Sequence, residues 1–269
     1  MTKTRRLIEA DLKMVDAVVE ITDARIPESS RNPILDELVK DKPRIMIMNK
    51  CDYADDSATA KWRRYYESRG VTVITCDCRS GKGINKFLPT VKNLLKDLIE
   101  RRKARGMIGK ALRLMVVGIP NVGKSSFINR MANSKKTKVG DKPGVTRGKQ
   151  WVSIDKDVEL LDMPGILWPK FDDQTAAQRL AYTGAIKDDV MDVEALARGL
   201  GELLERDYPE LLKARYKIPC EGDILTEIAR ARGMLVSGGE PDTERAAAAL
   251  LDEYRGGKIG KITLETPQE

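Results

Sequence analysis

The 269 residues carry 48 Lys and Arg against 41 Asp and Glu, contain no His, and give a net charge of +7. With 41% apolar residues but no apolar run near the length of a membrane span and no signal peptide, the chain reads as globular and cytoplasmic. Its four cysteines, Cys51, Cys76, Cys78 and Cys220, follow neither zinc-site nor disulfide spacing and read as reduced thiols.

In chain order, the first informative element is the apolar run Arg44-Ile-Met-Ile-Met48, a strand that ends in Asn49-Lys-Cys-Asp52. Parallel strands deliver ligand-contacting loops at their carboxyl ends. A carboxylate placed there accepts from both the ring N1–H and the exocyclic amine of guanine, a donor pair that adenine lacks. Asp52 is therefore expected to select guanine, with Asn49 bonding the base edge and the Lys50 stem lying over the ring. Alone, N-K-x-D is ordinary turn chemistry, and it gains weight from a phosphate-binding motif further along the chain. The stretch Ile84 to Ile99 carries Phe87, Val91, Leu94, Leu95 and Leu98 at helical spacing, and Glu100 to Gly106 reads as a basic linker.

Leu112 to Val117 reads as a buried strand that leads into Gly118-Ile-Pro-Asn-Val-Gly-Lys-Ser125, which fits G-x-x-x-x-G-K-[ST]. Gly118 and Gly123 let the backbone curl, so that the N–H groups from Asn121, Val122 and Gly123 through Ser126 converge on nucleotide phosphates at the positive end of the following helix. Lys124 reaches the β- and γ-phosphates, and the Ser125 hydroxyl binds Mg²⁺. Further on, Asp141-Lys-Pro-Gly-Val-Thr-Arg147 is a loop whose Thr146 completes the metal shell while the γ-phosphate is present. The strand Val158 to Leu161 ends in Asp162-Met-Pro-Gly165, which offers a Mg²⁺ carboxylate in Asp162 and a γ-phosphate N–H in Gly165. Lys124, Thr146 and Gly165 are the expected catalytic groups.

The base-reading motif precedes the phosphate loop, the reverse of the usual order in guanine-nucleotide switches. An open parallel sheet tolerates such relocation when the old ends are joined, here through Glu100 to Gly106. Residues 1–171 are thus expected to form a permuted nucleotide domain and 172–269 a helical one. The second part shows helical patterning from Asp173, with stripes at Val193 to Leu204, Ile224 to Ala231 and Thr243 to Tyr254, and a turn at Ser237 to Pro241. Lys and Arg exceed Asp and Glu by 14 over residues 1–171 and fall short by 7 over 172–269. Arg101 to Lys149 holds fourteen basic side chains and one acid, more than a nucleotide's phosphates need. Arg101, Arg102, Lys103, Arg105, Lys135, Lys136 and Lys138 are expected either to grip RNA or to form a solvated basic face.

The motif order, the Gly-x-Pro-Asn-x-Gly-Lys-Ser loop, and Asp23-Ala-Arg-Ile-Pro27 with Ser29-Ser-Arg-Asn-Pro33 resemble the circularly permuted ribosome biogenesis GTPase A family over essentially the whole chain. The resemblance implies an α/β P-loop GTPase fold with a mostly parallel, circularly permuted sheet and a small all-helical C-terminal domain that contacts rRNA. It implies a monomeric factor for late assembly of the large ribosomal subunit, bound to the precursor particle with GTP and released on hydrolysis. Cys76-Asp-Cys-Arg-Ser-Gly-Lys-Gly83 falls at the family's third base-contacting element, with Cys78 in place of a serine and backbone contacts expected from Cys78 and Arg79. Asn121 either holds K⁺ beside the phosphates, as in GTPases with this loop, or bonds its own backbone. Ile166 replaces the glutamine that orients water in many relatives of this fold. The family's His lies in a Pro-Gly-His-Met segment ahead of Thr2-Lys-Thr-Arg-Arg6, so the water-orienting group comes either from residues before Met1 or from another side chain. Slow intrinsic turnover, stimulated by the ribosomal particle, is the expected consequence. Two other readings are a GTP-gated RNA-binding module with incidental hydrolysis and a GTPase serving tRNA modification.

Overall fold

The computed structural model describes residues 2–39, 42–107, 109–133, 149–164, 173–186 and 192–267. Thr146, Gly165 and Ile166, and with them Lys135, Lys136 and Lys138, lie outside the described residues.

The nucleotide half runs α1 (Thr2–Leu12), β1 (Ala17–Asp23), α2 (Pro33–Leu38), β2 (Arg44–Asn49), α3 (Asp56–Glu67), β3 (Thr72–Thr75), a 3₁₀ turn (Ile84–Lys86), α4 (Phe87–Leu94), α5 (Lys96–Ala104), β4 (Leu112–Val117), α6 (Lys124–Asn133), β5 (Gln150–Asp155) and β6 (Val158–Asp162). The six strands lie in the order β3-β2-β1-β4-β6-β5, and every neighbouring pair is parallel except β5 with β6. Permutation places β1 at the centre. It pairs with the base-reading strand on one side, Asp23 opposite Asn49, and with the phosphate-loop strand on the other, Val19 opposite Val116. All seven β1 residues are buried, as expected of a parallel strand covered on both faces. Its one interior acid, Glu20, forms ion pairs with Arg31 and Arg44.

The single amphipathic helix expected over Ile84 to Ile99 is instead three pieces. The chain breaks at Leu95, whose backbone leaves the helical region at φ −101° and ψ 17°. The expected linker is mostly helix, because Glu100 to Ala104 are strong helix formers that extend α5. That helix closes at Gly106, left-handed at φ 73°, with Gly106 N–H donating to Lys103 O and Met107 N–H to Arg102 O, both 3.0 Å.

Among the described residues five helices follow: α7 (Gln174–Tyr182), α8 (Val193–Asp207), α9 (Pro209–Tyr216), α10 (Ile224–Ala231) and α11 (Thr243–Arg255). The stripes at α8, α10 and α11 are found where expected, while α9 continues the chain after Tyr208 with Pro209 at its first turn. Asp173, Asp192, Asp223 and Asp242 each accept a first-turn N–H and cap α7, α8, α10 and α11, about 1 kcal/mol apiece. Helix α8 carries Gly201 in its interior because a Cβ there would lie 2.5 Å from Ile224 Cγ2. Ala normally stabilises a helix interior relative to Gly. Here Gly201→Ala is expected to cost about 1–3 kcal/mol through overpacking, read as a lower denaturant midpoint at constant slope. A gain in stability would contradict this packing.

Beyond α11 the chain leaves the helices and straps across the nucleotide half. Ile262 N–H donates to Tyr53 O at 2.9 Å and Leu264 N–H to Arg25 O at 2.8 Å. Trp62 Nε1–H donates to Glu265 O at 2.8 Å, while the Glu265 carboxylate accepts from the Ser29 hydroxyl at 2.6 Å and pairs with Arg179 of α7 at 3.2 Å. The last residues therefore contact both parts of the chain, since Thr263 N–H also donates to the Tyr208 hydroxyl at 3.1 Å and Thr263 O accepts from it at 3.0 Å. No helix among the described residues is long and apolar enough to cross a membrane.

Candidate functional site

The carboxyl ends of β1, β2, β3, β4 and β6 converge on one edge of the sheet, where ligands bind in open α/β folds. The phosphate loop rises from β4 and enters α6 at Lys124. Gly118 (φ 155°) and Gly123 (φ 100°) admit no side chain: a Cβ would come within 2.6 Å of Ile21 O in the first case and 2.2 Å of Asn49 Nδ2 in the second. The loop is thus pressed against β1 and the base-reading loop, and glycine is required for closeness as much as for torsion.

Lys124 is buried, and its Nζ donates to the carbonyls of Gly118 at 2.9 Å and Ile119 at 2.8 Å. Burial lowers its pKa to about 8, against an opposing pull from the Asp162 carboxylate. A phosphate restores the charge that burial disfavours. Between pH 8 and the higher pKa of the complex, nucleotide binding must therefore take up a proton, so affinity falls as pH rises through that window. Calorimetry at pH 8.5 in two buffers of different ionisation enthalpy is expected to show proton uptake by wild type and none by Lys124→Met. Equal uptake by both would remove Lys124 as the source.

Asp162 closes β6 beside this lysine, 5% exposed, and Ser125 sits half-buried at the start of α6. One carboxylate and one hydroxyl at a phosphate loop form the hard-oxygen donor set that Mg²⁺ prefers. The chemistry of those two residues is compatible with Mg²⁺.

In the base-reading loop, Asp52 Oδ1 is buried without a hydrogen-bond partner. Burial raises the Asp52 pKa, with Asp77 adding to the rise. A carboxylate held this way is completed by a ligand that brings donors, which is what guanine's N1–H and amine provide. Asn49 also bonds inward. Its Nδ2–H donates to Val122 O at 2.7 Å, and its Oδ1 accepts the Cys78 N–H at 3.0 Å. It is the rivet that joins phosphate loop, base loop and the Cys76–Gly83 loop. The backbone contacts expected of Cys78 and Arg79 are likewise directed inward, since the Arg79 N–H donates to Asp77 Oδ1 at 2.7 Å. Both residues support the pocket wall through these bonds. Arg130 of α6 adds to that wall by donating to Cys78 O at 3.3 Å and to Arg79 O.

Lys50 is left-handed (φ 61°), and its Nζ pairs with Asp23 Oδ2 at 2.9 Å. Asp23 also takes a two-pronged pair from Arg25, through Nε at 2.9 Å and NH2 at 2.7 Å. Burial pushes the Asp23 carboxyl up, but Arg25 and Lys50 together hold it well below the usual range. Arg25 continues into the helical half, where its NH1 donates to Tyr254 O and Arg255 O, each 3.3 Å, at the end of α11. Base chemistry alone does not point to Asp23 and Arg25; the available signal in the sequence is an acid and a base two residues apart directly after an apolar run.

Asn121, left-handed at φ 61°, donates from Nδ2 to Gly184 O at 2.7 Å, just past α7. Its Nδ2–H is thus spent on Gly184 and not on its own loop backbone. Arg255 steadies the same turn by donating to Tyr182 O at 3.1 Å and Ala181 O at 2.8 Å. Polar contacts therefore run from the phosphate loop through Gly184, Arg255 and Arg25 to Lys50 of the base loop.

The family model described as a 50S ribosome-binding GTPase matches residues 113–206. The chain is 44% identical to ribosome biogenesis GTPase A of Bacillus licheniformis, covering 100% of this chain and 96% of that one, and 32% identical to the Thermotoga maritima protein of the same name, covering 99% and 92%. The crystal structure of GNP-bound YlqF from T. maritima superposes with a TM-score of 0.67 at 28% identity and covers 99% of both chains. A phosphate loop, a guanine-reading loop placed ahead of it in the chain and full-length likeness together make this chain a GTP-hydrolysing member of the ribosome biogenesis GTPase A family.

Proposed function

We propose that this protein is a GTP-hydrolysing factor for late assembly of the large ribosomal subunit, bound to the precursor particle and its rRNA with GTP and released after hydrolysis. The observation that carries the reading is the Asn121 to Gly184 hydrogen bond, which puts the phosphate loop in direct contact with the helical half. A change at the phosphates then reaches a second surface without a long relay. In this reading Asp52 selects guanine, Asn49 and Lys50 shape its loop, and the backbone from Val122 through Ser126 cradles the phosphates. Ser125, Asp162 and Thr146 hold Mg²⁺, while Lys124, Thr146 and Gly165 assist transfer. A K⁺ role for Asn121 would fall to its Oδ1, which the bond to Gly184 does not use, and equal hydrolysis rates in potassium and sodium salts would remove that role.

Residues 1–171 form the GTPase unit and 172–269 the helical unit, joined by the strap that contacts both. Arg101, Lys103 and Arg105 are exposed at the end of α5 and suit an anionic RNA surface, whereas Arg102 is paired with Asp16 at 2.5 Å and contributes less. A cytoplasmic monomer fits this role. Single-turnover GTP hydrolysis with and without large subunits, alongside co-sedimentation in a GTP analogue and in GDP, tests the reading. Stimulation by the particle and analogue-dependent binding are expected. Binding without stimulation would leave a GTP-gated RNA-binding module, and binding to tRNA in place of subunits would favour a tRNA-modification role.

A further inference from the structure

Two thiols stand back to back against the guanine-reading machinery. Cys76 and Cys78 are both buried, with their sulfurs 3.7 Å apart and Asp77 alone between them in sequence. Cys76 Sγ also lies 3.8 Å from Asn49 Oδ1, the oxygen that accepts the Cys78 N–H. We propose that this pair is a modification site, a dithiol that a two-electron oxidant of the peroxide class converts to a disulfide, and that the conversion weakens guanine-nucleotide binding. The inference rests on the reading of residues 76–79 as the wall of the base pocket.

Two S–H bonds break, one S–S bond forms, and the two hydrogens and two electrons reduce the peroxide to two molecules of water. The sulfurs must close from 3.7 Å to about 2.05 Å, and the backbone decides which one travels. Cys76 is fixed on both sides, since its N–H donates to Met48 O at 3.0 Å and its carbonyl accepts the Cys51 N–H at 3.2 Å. Gly83 packs so closely that a Cβ there would lie 3.2 Å from Cys76 Cα. Cys78 is held by as many bonds, but both run to side chains: its N–H donates to Asn49 Oδ1 at 3.0 Å and its carbonyl accepts from Arg130 Nε at 3.3 Å, where Cys76 is bonded to backbone on both sides. Movement therefore falls on Cys78, whose N–H is drawn off Asn49 Oδ1. Asn49 then loses one end of the bridge whose other end steadies Val122 in the phosphate loop. The hydrogen bond to Cys78, then burial, pushes the Cys76 thiol up, so the rate of oxidation is expected to rise with pH.

The test takes nucleotide-free protein, reduced or treated with hydrogen peroxide, and measures fluorescent GDP binding together with the mass of the peptide that holds both cysteines. Expected results are loss of two hydrogens within that peptide, GDP affinity at least tenfold weaker, and recovery with dithiothreitol. Cys76→Ser is expected to keep its GDP affinity after peroxide, and the Cys51→Ser, Cys220→Ser double variant to respond like wild type. Absence of the internal disulfide would overturn the proposal, as would a disulfide formed with affinity unchanged. Should Cys76→Ser fail to fold, the double variant and the wild-type mass still decide. Reduced wild type that does not bind GDP would sink the pocket reading itself, and the switch with it.

Discussion

Replacing Asp52 with Asn is expected to weaken GDP and GTP binding by roughly 10²- to 10⁴-fold and to turn the preference toward xanthosine nucleotides. Guanine offers Asp52 two donors, and a hydrogen bond to a charged acceptor is worth about 1.5–3 kcal/mol, so losing one, weakening the other by removing the charge and opposing two donors spans that range. Asn keeps the size but replaces one acceptor with an N–H, which opposes the guanine amine and matches the carbonyl that xanthine carries at the same ring position. The effect is large because the free protein gives Asp52 Oδ1 no other donor: its carboxylate oxygen is buried and unpartnered before the base arrives. Burial also raises its pKa, and the base favours the ionised form, so guanine affinity is expected to decline as pH falls through that raised value. Calorimetry of wild type and Asp52→Asn with GDP and XDP checks both parts. Unaltered GDP affinity in the variant would remove Asp52 as the base reader.

Which parts of this site are readable before folding depends on how local their chemistry is. The phosphate loop is a continuous segment whose glycines, lysine and serine act within eight residues, and each lies where the motif requires it. The base loop is legible for a related reason, since Asn49 and Asp52 end a clear apolar strand. The side-chain partners are not legible, because they depend on pairs distant in sequence. Asn49 meets Val122 and Cys78, and Asn121 meets Gly184; no spacing rule connects those positions. Strand β1 escapes a sequence reading on physical grounds as well. Glu20 interrupts its apolar run, and partners brought in by tertiary folding, the Arg31 and Arg44 guanidiniums and the Asn32 N–H, make that acid tolerable at the centre of a sheet. Likewise the break at Leu95 hides inside a stripe of helical period, because periodicity records which face is apolar and not whether the backbone continues.

Arg25→Ala is expected to cost about 3–5 kcal/mol of folding stability, because it strips a fully buried carboxylate of its two-pronged partner and leaves only Lys50 and the backbone N–H of residue 25 to hold it. Arg25 is 1% exposed and Asp23 2%, so water cannot take over those hydrogen bonds without opening the structure. The guanidinium also lies 5.8 Å from the Tyr53 ring and 5.2 Å from the Tyr254 ring, and alanine can stack on neither. Removing both charges, as Asp23→Val with Arg25→Leu, should cost less than the single change, since an unpaired buried charge is worse than none. The pH dependence separates this account from a simple packing defect. The folded-state pKa of Asp23 is depressed, so its contribution is present above the unfolded carboxyl range and disappears as pH falls below it. Urea unfolding of wild type between pH 5 and pH 2 is therefore expected to show a decline, beginning near the unfolded carboxyl pKa and continuing below it, that is flattened in Arg25→Ala. Parallel declines would mean that the pair is not the source. Because Arg25 also holds the carbonyls of Tyr254 and Arg255, the variant should loosen α11 from the base loop and weaken GDP binding under conditions where it remains folded. A gentler Arg25→Lys change, which keeps the charge but cannot supply the fork, is expected to restore part of the acid slope while leaving the contact with α11 weakened.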